Sequence, residues 1–233
     1  MYQVMIGLVA AALALMPGEA SFAPIPVSVQ RPVQRMPRIS AKAEAAAVGA
    51  LPEFAAALPE SAANQVVGVY SPGVLALRIQ QQPAGAPAFV SETADAATMF
   101  SLARKYGTIG LLAHNHLAGS AFFDLRVGMP IATIFGDGTV GHYIVTKTER
   151  YRALEPSSPY SHFTSLNGDG SRLSSTDLFY ATYAGDGELV FQTCIARGDD
   201  PSWGRYFVTA VPVKIRTVAR FARDFGAHQI QFH

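Results

Sequence analysis

Ile131-Ala132-Thr133-Ile134-Phe135, Gly136-Asp137-Gly138 and Val140-Gly141-His142-Tyr143-Ile144-Val145 form the clearest hairpin in the chain. Two strand-like apolar runs flank an Asp-Gly step, the dipeptide favoured at the tip of tight hairpins. Arg150 to Leu154 extend that ribbon after a bend. Upstream, Val66 to Tyr70 and Val74 to Ile79 read as two further strands around the turn Ser71-Pro72-Gly73. Thr108 to Ala113 is a compact apolar run, too short for a typical helix. Downstream, Glu188 to Cys194 and Arg205 to Val211 are strand-like and enclose a polar, turn-rich gap. Helical signals are few. Thr93 reads as the cap of a helix over Ala94 to Lys105, with Ala97, Phe100, Ser101 and Ala103-Arg104 giving a partly apolar face. Ser174, Ser175 or Thr176 caps a helical turn through Asp177 to Tyr180, after a loop over Pro156 to Gly170. Many short strands with one or two inserted helices predict a mainly β fold, a β-dominated barrel.

A chain of 233 residues with 49% apolar and 15% charged residues can bury a substantial single core. Its net charge of +1 gives no basic surface for nucleic acid, and no Gly-rich phosphate loop is present. Val4 to Met16 is an uncharged apolar run followed by Pro17-Gly18-Glu19-Ala20-Ser21. It reads as a signal peptide or signal-anchor over residues 1–20, short for a span of about 20 apolar residues. Residues 21–64 read as a Pro/Ala-rich linker, with Pro24, Pro26, Pro32, Pro37, Pro52 and Pro59 breaking regular structure and a short helix within Ala43 to Ala57. The domain proper is expected over 65–212. The tail, 213–233, spaces Ile215, Val218, Ala222 and Phe225 like a basic amphipathic helix that docks on the barrel or lies on a membrane. The expected location is extracytoplasmic, secreted or held at the cell surface through the N-terminus.

Cys194 is the only cysteine, so an exported chain cannot bridge it internally. It is an inert core thiol, an intermolecular bridge or a nucleophile. A hairpin centred at Asp199-Asp200 sets Cys194 directly opposite Arg205, with Cα atoms roughly 4.5–5.5 Å apart and side chains on one face. A guanidinium there favours a thiolate and can bind the oxyanion formed at an attacked carbonyl. Leu111-Leu112-Ala113-His114-Asn115-His116 ends an apolar strand in a histidine suited to acid–base work.

The order His114, Cys194, Arg205 resembles the sortase family, the cysteine transpeptidases of bacterial surfaces. That family's nucleophile segment reads T-L-x-T-C, followed by an arginine in the next strand. Here Thr193-Cys194 match, Val190 and Phe191 replace the Thr and Leu, and Ala113 stands where the family commonly has Gly before its histidine. Phe122-Phe123-Asp124-Leu125 and Val127-Gly128 are similar to the stretch leading into the family's next strand. The resemblance covers roughly residues 65 to 212. It implies a closed sortase-like β-barrel and an acyl transfer without a cofactor. Cys194 attacks a sorting-signal peptide of L-P-x-T-G type, Arg205 holds the oxyanion, and His114 protonates the leaving amine and deprotonates the incoming one. Thr193 and Ala113 are then candidate substrate-binding positions. The partners implied are proteins carrying a C-terminal sorting signal and an amine acceptor on the cell wall or another protein.

Other readings share these residues. A hydrolytic cysteine peptidase differs only in its acceptor, and a binding module would leave the thiol idle. His114-x-His116 is a metal-ligand spacing, which makes a secreted metal-binding barrel the alternative, with Asp124, His142 and His162 as further ligands.

Overall fold

Leu75, Leu77 and Ile79 are buried while Ala76, Arg78 and Gln80 are exposed, the period-2 pattern of a strand with one covered face. This strand, β2 (Leu75–Gln81), turns back on β1 (Val66–Ser71) through Gly73, whose φ of 68° suits glycine. The computed structural model describes residues 51–213. The expected signal segment, most of the linker and the tail from Lys214 lie outside the described residues. Among the described residues no helix is long and apolar enough to cross a membrane.

The remaining strands are β3 (Ala96–Phe100), β4 (Ile109–Leu112), β5 (Pro130–Phe135), β6 (Val140–Ala153), β7 (Phe163–Ser165), β8 (Arg172–Leu173), β9 (Leu189–Arg197) and β10 (Asp200–Pro212). They pair in the order β10-β9-β4-β3-β2-β1-β5-β6-β7-β8, and β10 also pairs with β6. Eight strands thus close into a barrel, with β7 and β8 continuing from the far half of β6. The expected hairpin forms as β5 and β6, and the ribbon over Arg150 to Leu154 is the continuation of β6. Thr146 is the extra residue where β6 bends against β10. Closure removes the exposed edges that an open sheet of this size would present.

The helix expected over Ala94 to Lys105 forms only in its second half. Residues 96–100 are buried throughout, pairing parallel with β2 and antiparallel with β4. A segment covered on both faces has no polar stripe for a surface helix, so sheet pairing overrides propensity. The helix is confined to Ser101–Lys105, with Phe100 rather than Thr93 at its N-cap. Of the three caps the sequence offers, Ser174 is the one used, through a reciprocal box with Asp177, and the helix runs on to Tyr183.

Three apolar layers organise the core. Residues from all eight barrel strands fill the interior, with Phe122 and Leu125 of the 3-10 turn Ala118–Asp124 and its exit plugging it. Phe122 meets Phe191 edge-on, ring centroids 5.0 Å apart. A second layer lies outside β4, β9 and β10, where Leu178, Phe179 and Tyr183 cover Leu112, Val190, Cys194 and Phe207. A third lies outside β1 and β5, where Leu51, Phe54, Ala55 and Leu58 pack on Val67, Tyr70, Ala132 and Ile134. Residues 51–56 are helical. A Cβ on Gly68 would fall 2.3 Å from the Leu58 Cδ1, so a larger residue here would push the Leu58 side chain aside. The end of the stretch read as linker is therefore part of the folded unit. A Phe54→Ala/Leu58→Ala chain is expected to lose about 2–3 kcal/mol in urea unfolding; a free spacer would tolerate the change within about 0.5 kcal/mol.

Candidate active site

Strand β9 sits between β4 and β10. It runs parallel to β4, pairing Ile109 with Leu189 and Leu112 with Gln192. The Ala113 N–H continues the ladder to the Gln192 carbonyl at 3.2 Å, and the Thr193 hydroxyl donates to the Ala113 carbonyl at 2.9 Å. Two positions further along, the same register brings His114 level with Cys194. On the other edge, Arg205 pairs with Cys194. Cys194 and Arg205 thus form a row across β9 and β10, and His114, two residues past the end of β4, leaves the neighbouring strand on the other side of Cys194.

They also share a face. Val190 and Cys194 of β9, Leu112 of β4 and Phe207 of β10 belong to the layer outside the barrel. Alternation carries His114 and Arg205 to that side. The Arg205 guanidinium lies over the Phe163 ring of this layer, 5.9 Å from its centroid. The row is enclosed: Cys194 is 3% exposed, His114 7% and Arg205 1%. Val90, fully buried, belongs to the same layer, and its backbone is hydrogen-bonded to His114.

The register opposite Cys194 is as expected, by a different route. The turn is Gly198-Asp199, with Gly198 at φ 58° and Asp200 paired to Arg197, and the ladder resumes at Gly204 opposite Ile195. Pro201, Ser202 and Trp203 therefore face a single residue, Ala196. Pro201 has no N–H to offer a ladder, which suits it to such a bulge. The bulge has two uses. Its Ser202 carbonyl, with that of Gly204, accepts from the Arg205 Nη1 at 2.9 and 3.0 Å and fixes the guanidinium. Its Pro201 carbonyl accepts from the Asn115 Nδ2 at 3.1 Å, tying the turn after His114 to β10. Trp203 stacks under Arg197, 4.8 Å from the guanidinium carbon, at the rim of the hairpin.

Burial holds the His114 imidazole below its ordinary value of 6.5, with the charge of neighbouring His116 acting the same way. Glu92 and a hydrogen bond to the Val90 backbone oppose these effects. A ring kept neutral near pH 7 can accept a proton. His116 itself is exposed, its ring centroid 5.4 Å from that of His114. Among the described residues no three His, Cys, Asp or Glu side chains gather as metal ligands, and Asp124, His142 and His162 do not join the histidine pair.

Thr193 and Ala113 are fully buried and bonded to each other, and Gly119 packs on both. They brace the row from the interior side of the sheet; neither surfaces in a groove. Sequence reasoning missed Asn115, Val90 and Gln192. Pro201 was the available signal for the bulge; no local pattern marks Val90, which arrives from a distant loop.

No family model matches the chain, and no curated protein matches it. Solved structures with similar coordinates include sortase A from Corynebacterium diphtheriae, a lid mutant, at 12% identity and a TM-score of 0.42, covering 78% of this chain and 100% of that one. Sortase C-1 from Actinomyces oris is 14% identical at a TM-score of 0.40, covering 70% and 80%. Sortase C from Clostridium perfringens is 12% identical at a TM-score of 0.38, covering 65% and 72%.

The depressed His114 value has a measurable consequence. The unfolded chain takes up the proton near pH 6.5, the folded chain only at lower pH. The stabilisation is whole above pH 6.5 and is lost as pH falls toward the folded value. Urea midpoints measured from about pH 7.5 to pH 5 are expected to fall less in His114→Gln than in the wild type.

Proposed function

We propose that the protein is a cysteine acyltransferase of the sortase type. The observation that carries this reading is Arg205 paired directly opposite the buried Cys194, with His114 in the segment that leaves β4 along the other edge of β9. An inert core thiol would have apolar neighbours; this one has a guanidinium-bearing residue directly opposite it.

In the proposed reaction, neutral His114 takes the thiol proton and the Cys194 sulfur bonds to a peptide carbonyl carbon, whose π pair moves to oxygen. Arg205 stabilises that oxygen, for which preorganised donors supply a large share of the catalysis. When the carbon–nitrogen bond breaks, His114 returns the proton to the leaving amine, and a thioester remains on Cys194. An incoming amine then loses its proton to His114 and displaces the sulfur. Water in place of the amine gives hydrolysis. The sequence resemblance suggests a sorting signal of L-P-x-T-G type as acyl donor, an amine on the cell wall or another protein as acceptor, and work outside the cytoplasm.

Intact-mass analysis with a library of L-P-x-T-G-type peptides tests this. A covalent adduct is expected on the wild type and none on Cys194→Ala. His114→Ala and Arg205→Ala are expected to slow its formation by about 10²–10³-fold. Added amine should give a transpeptidation product distinguishable by mass from the hydrolysed acid. A wild type that forms no adduct with any peptide would refute the proposal.

A further inference from the structure

We infer that Gln192 belongs to the same site, its Nε2 donating to the carbonyl oxygen carried on the Cys194 sulfur; the inference rests on the acyl-transfer reading above. Gln192 is 1% exposed and occupies the row next to the catalytic one, between Leu112 on β4 and Phe207 on β10. It shares the outer face with Val190 and Cys194, because alternate residues of a strand project together. Its Cα is roughly 6.5 Å from that of Cys194, within reach of a long side chain.

The amide is held at one end. The Tyr183 hydroxyl, brought by the covering helix, donates to Oε1 at 2.5 Å. Burial pushes the Tyr183 phenol well above its usual value, so it stays a donor. Nε2 then points its two hydrogens away from Tyr183, and it has no hydrogen-bond partner among the described residues. An unpaired buried amide destabilises a fold, and an apolar side chain of equal length would fill this layer better. Its neighbours Val190, Leu112 and Phe207 are all apolar. A donor maintained in that setting fits an acceptor that arrives with the substrate. The oxygen of an acyl group on Cys194 is such an acceptor, approached by Arg205 from the side and by Gln192 from the adjacent row. As the sulfur–carbon bond forms and the carbonyl π pair moves to oxygen, Nε2–H donates to that oxygen; the leaving group departs with its bonding pair and Gln192 keeps its protons.

The test uses the full chain and p-nitrophenyl acetate, which acetylates a thiol and releases p-nitrophenolate. Iodoacetamide, which alkylates the same sulfur without forming an oxyanion, is the control. Gln192→Met removes the donor. Tyr183→Phe/Gln192→Met also removes the hydroxyl that the single change orphans, which preserves the fold if the single variant does not. Acetylation is expected to slow about 10- to 100-fold in variants whose melting curves remain cooperative, with alkylation within about twofold of wild type. Acetylation at the wild-type rate, or a parallel fall in both reactions, overturns the role of Gln192 and leaves the acyl-transfer reading standing. A wild type alkylated but never acetylated overturns both.

Discussion

Strand β9 is hydrogen-bonded along both edges, parallel to β4 and antiparallel to β10, and the site depends on that double pairing. Neither edge alone is sufficient. The antiparallel edge brings Arg205 to Cys194, while the parallel edge brings a histidine from a segment 80 residues earlier, the separation of the Thr193–Ala113 hydrogen bond. A parallel pair cannot be made by a short turn, and the connection between β4 and β9 here includes β5 to β8 and the covering helix. Barrel closure through β6 and β10 then holds β10 from its far side.

The two faces of β9 serve different ends. Leu189 and Phe191 join the barrel interior, an apolar layer with contributions from every barrel strand. Gln192, Cys194 and their row neighbours His114 and Arg205 face an outer layer where an aromatic helix is the cover. Burying an imidazole, a guanidinium and a carboxamide in one layer costs stability unless each is hydrogen-bonded. The carbonyls of Ser202 and Gly204 hold one, the Val90 backbone another and Tyr183 the third. The apolar interior supplies the rigidity that lets the outer layer carry polar groups.

Much of this was legible in the sequence because it is local. The β5–β6 hairpin announces itself through Asp137-Gly138, the Ser174–Thr176 cluster marks a helix start, and the cross-strand pair Cys194–Arg205 follows from counting across a short gap. Non-local burial was illegible. Residues 96–100 look like the first turns of a helix until β2 and β4 enclose them. Leu51, Phe54 and Leu58 sit among alanines and prolines that suggest a spacer, and only the bare outer surface of β1 and β5 gives them a role. The partnership of Tyr183 with Gln192 joins a helix to a strand through side chains with no shared motif. Arg205 was found opposite Cys194 although the turn lies elsewhere, because the Pro201–Trp203 bulge offsets the difference.

That bulge makes the hairpin sensitive to whether its length is odd or even. Strand side chains alternate faces, so only changes of two residues between Gly198 and Gly204 keep the guanidinium on the outer layer. Removing one residue while the ladder stays in place would set Arg205 opposite Ile195 and turn it into the barrel, exchanging a charge with Tyr206. Length variation among descendants of this chain should therefore run in steps of two here wherever the ladder beyond Gly204 shifts with it.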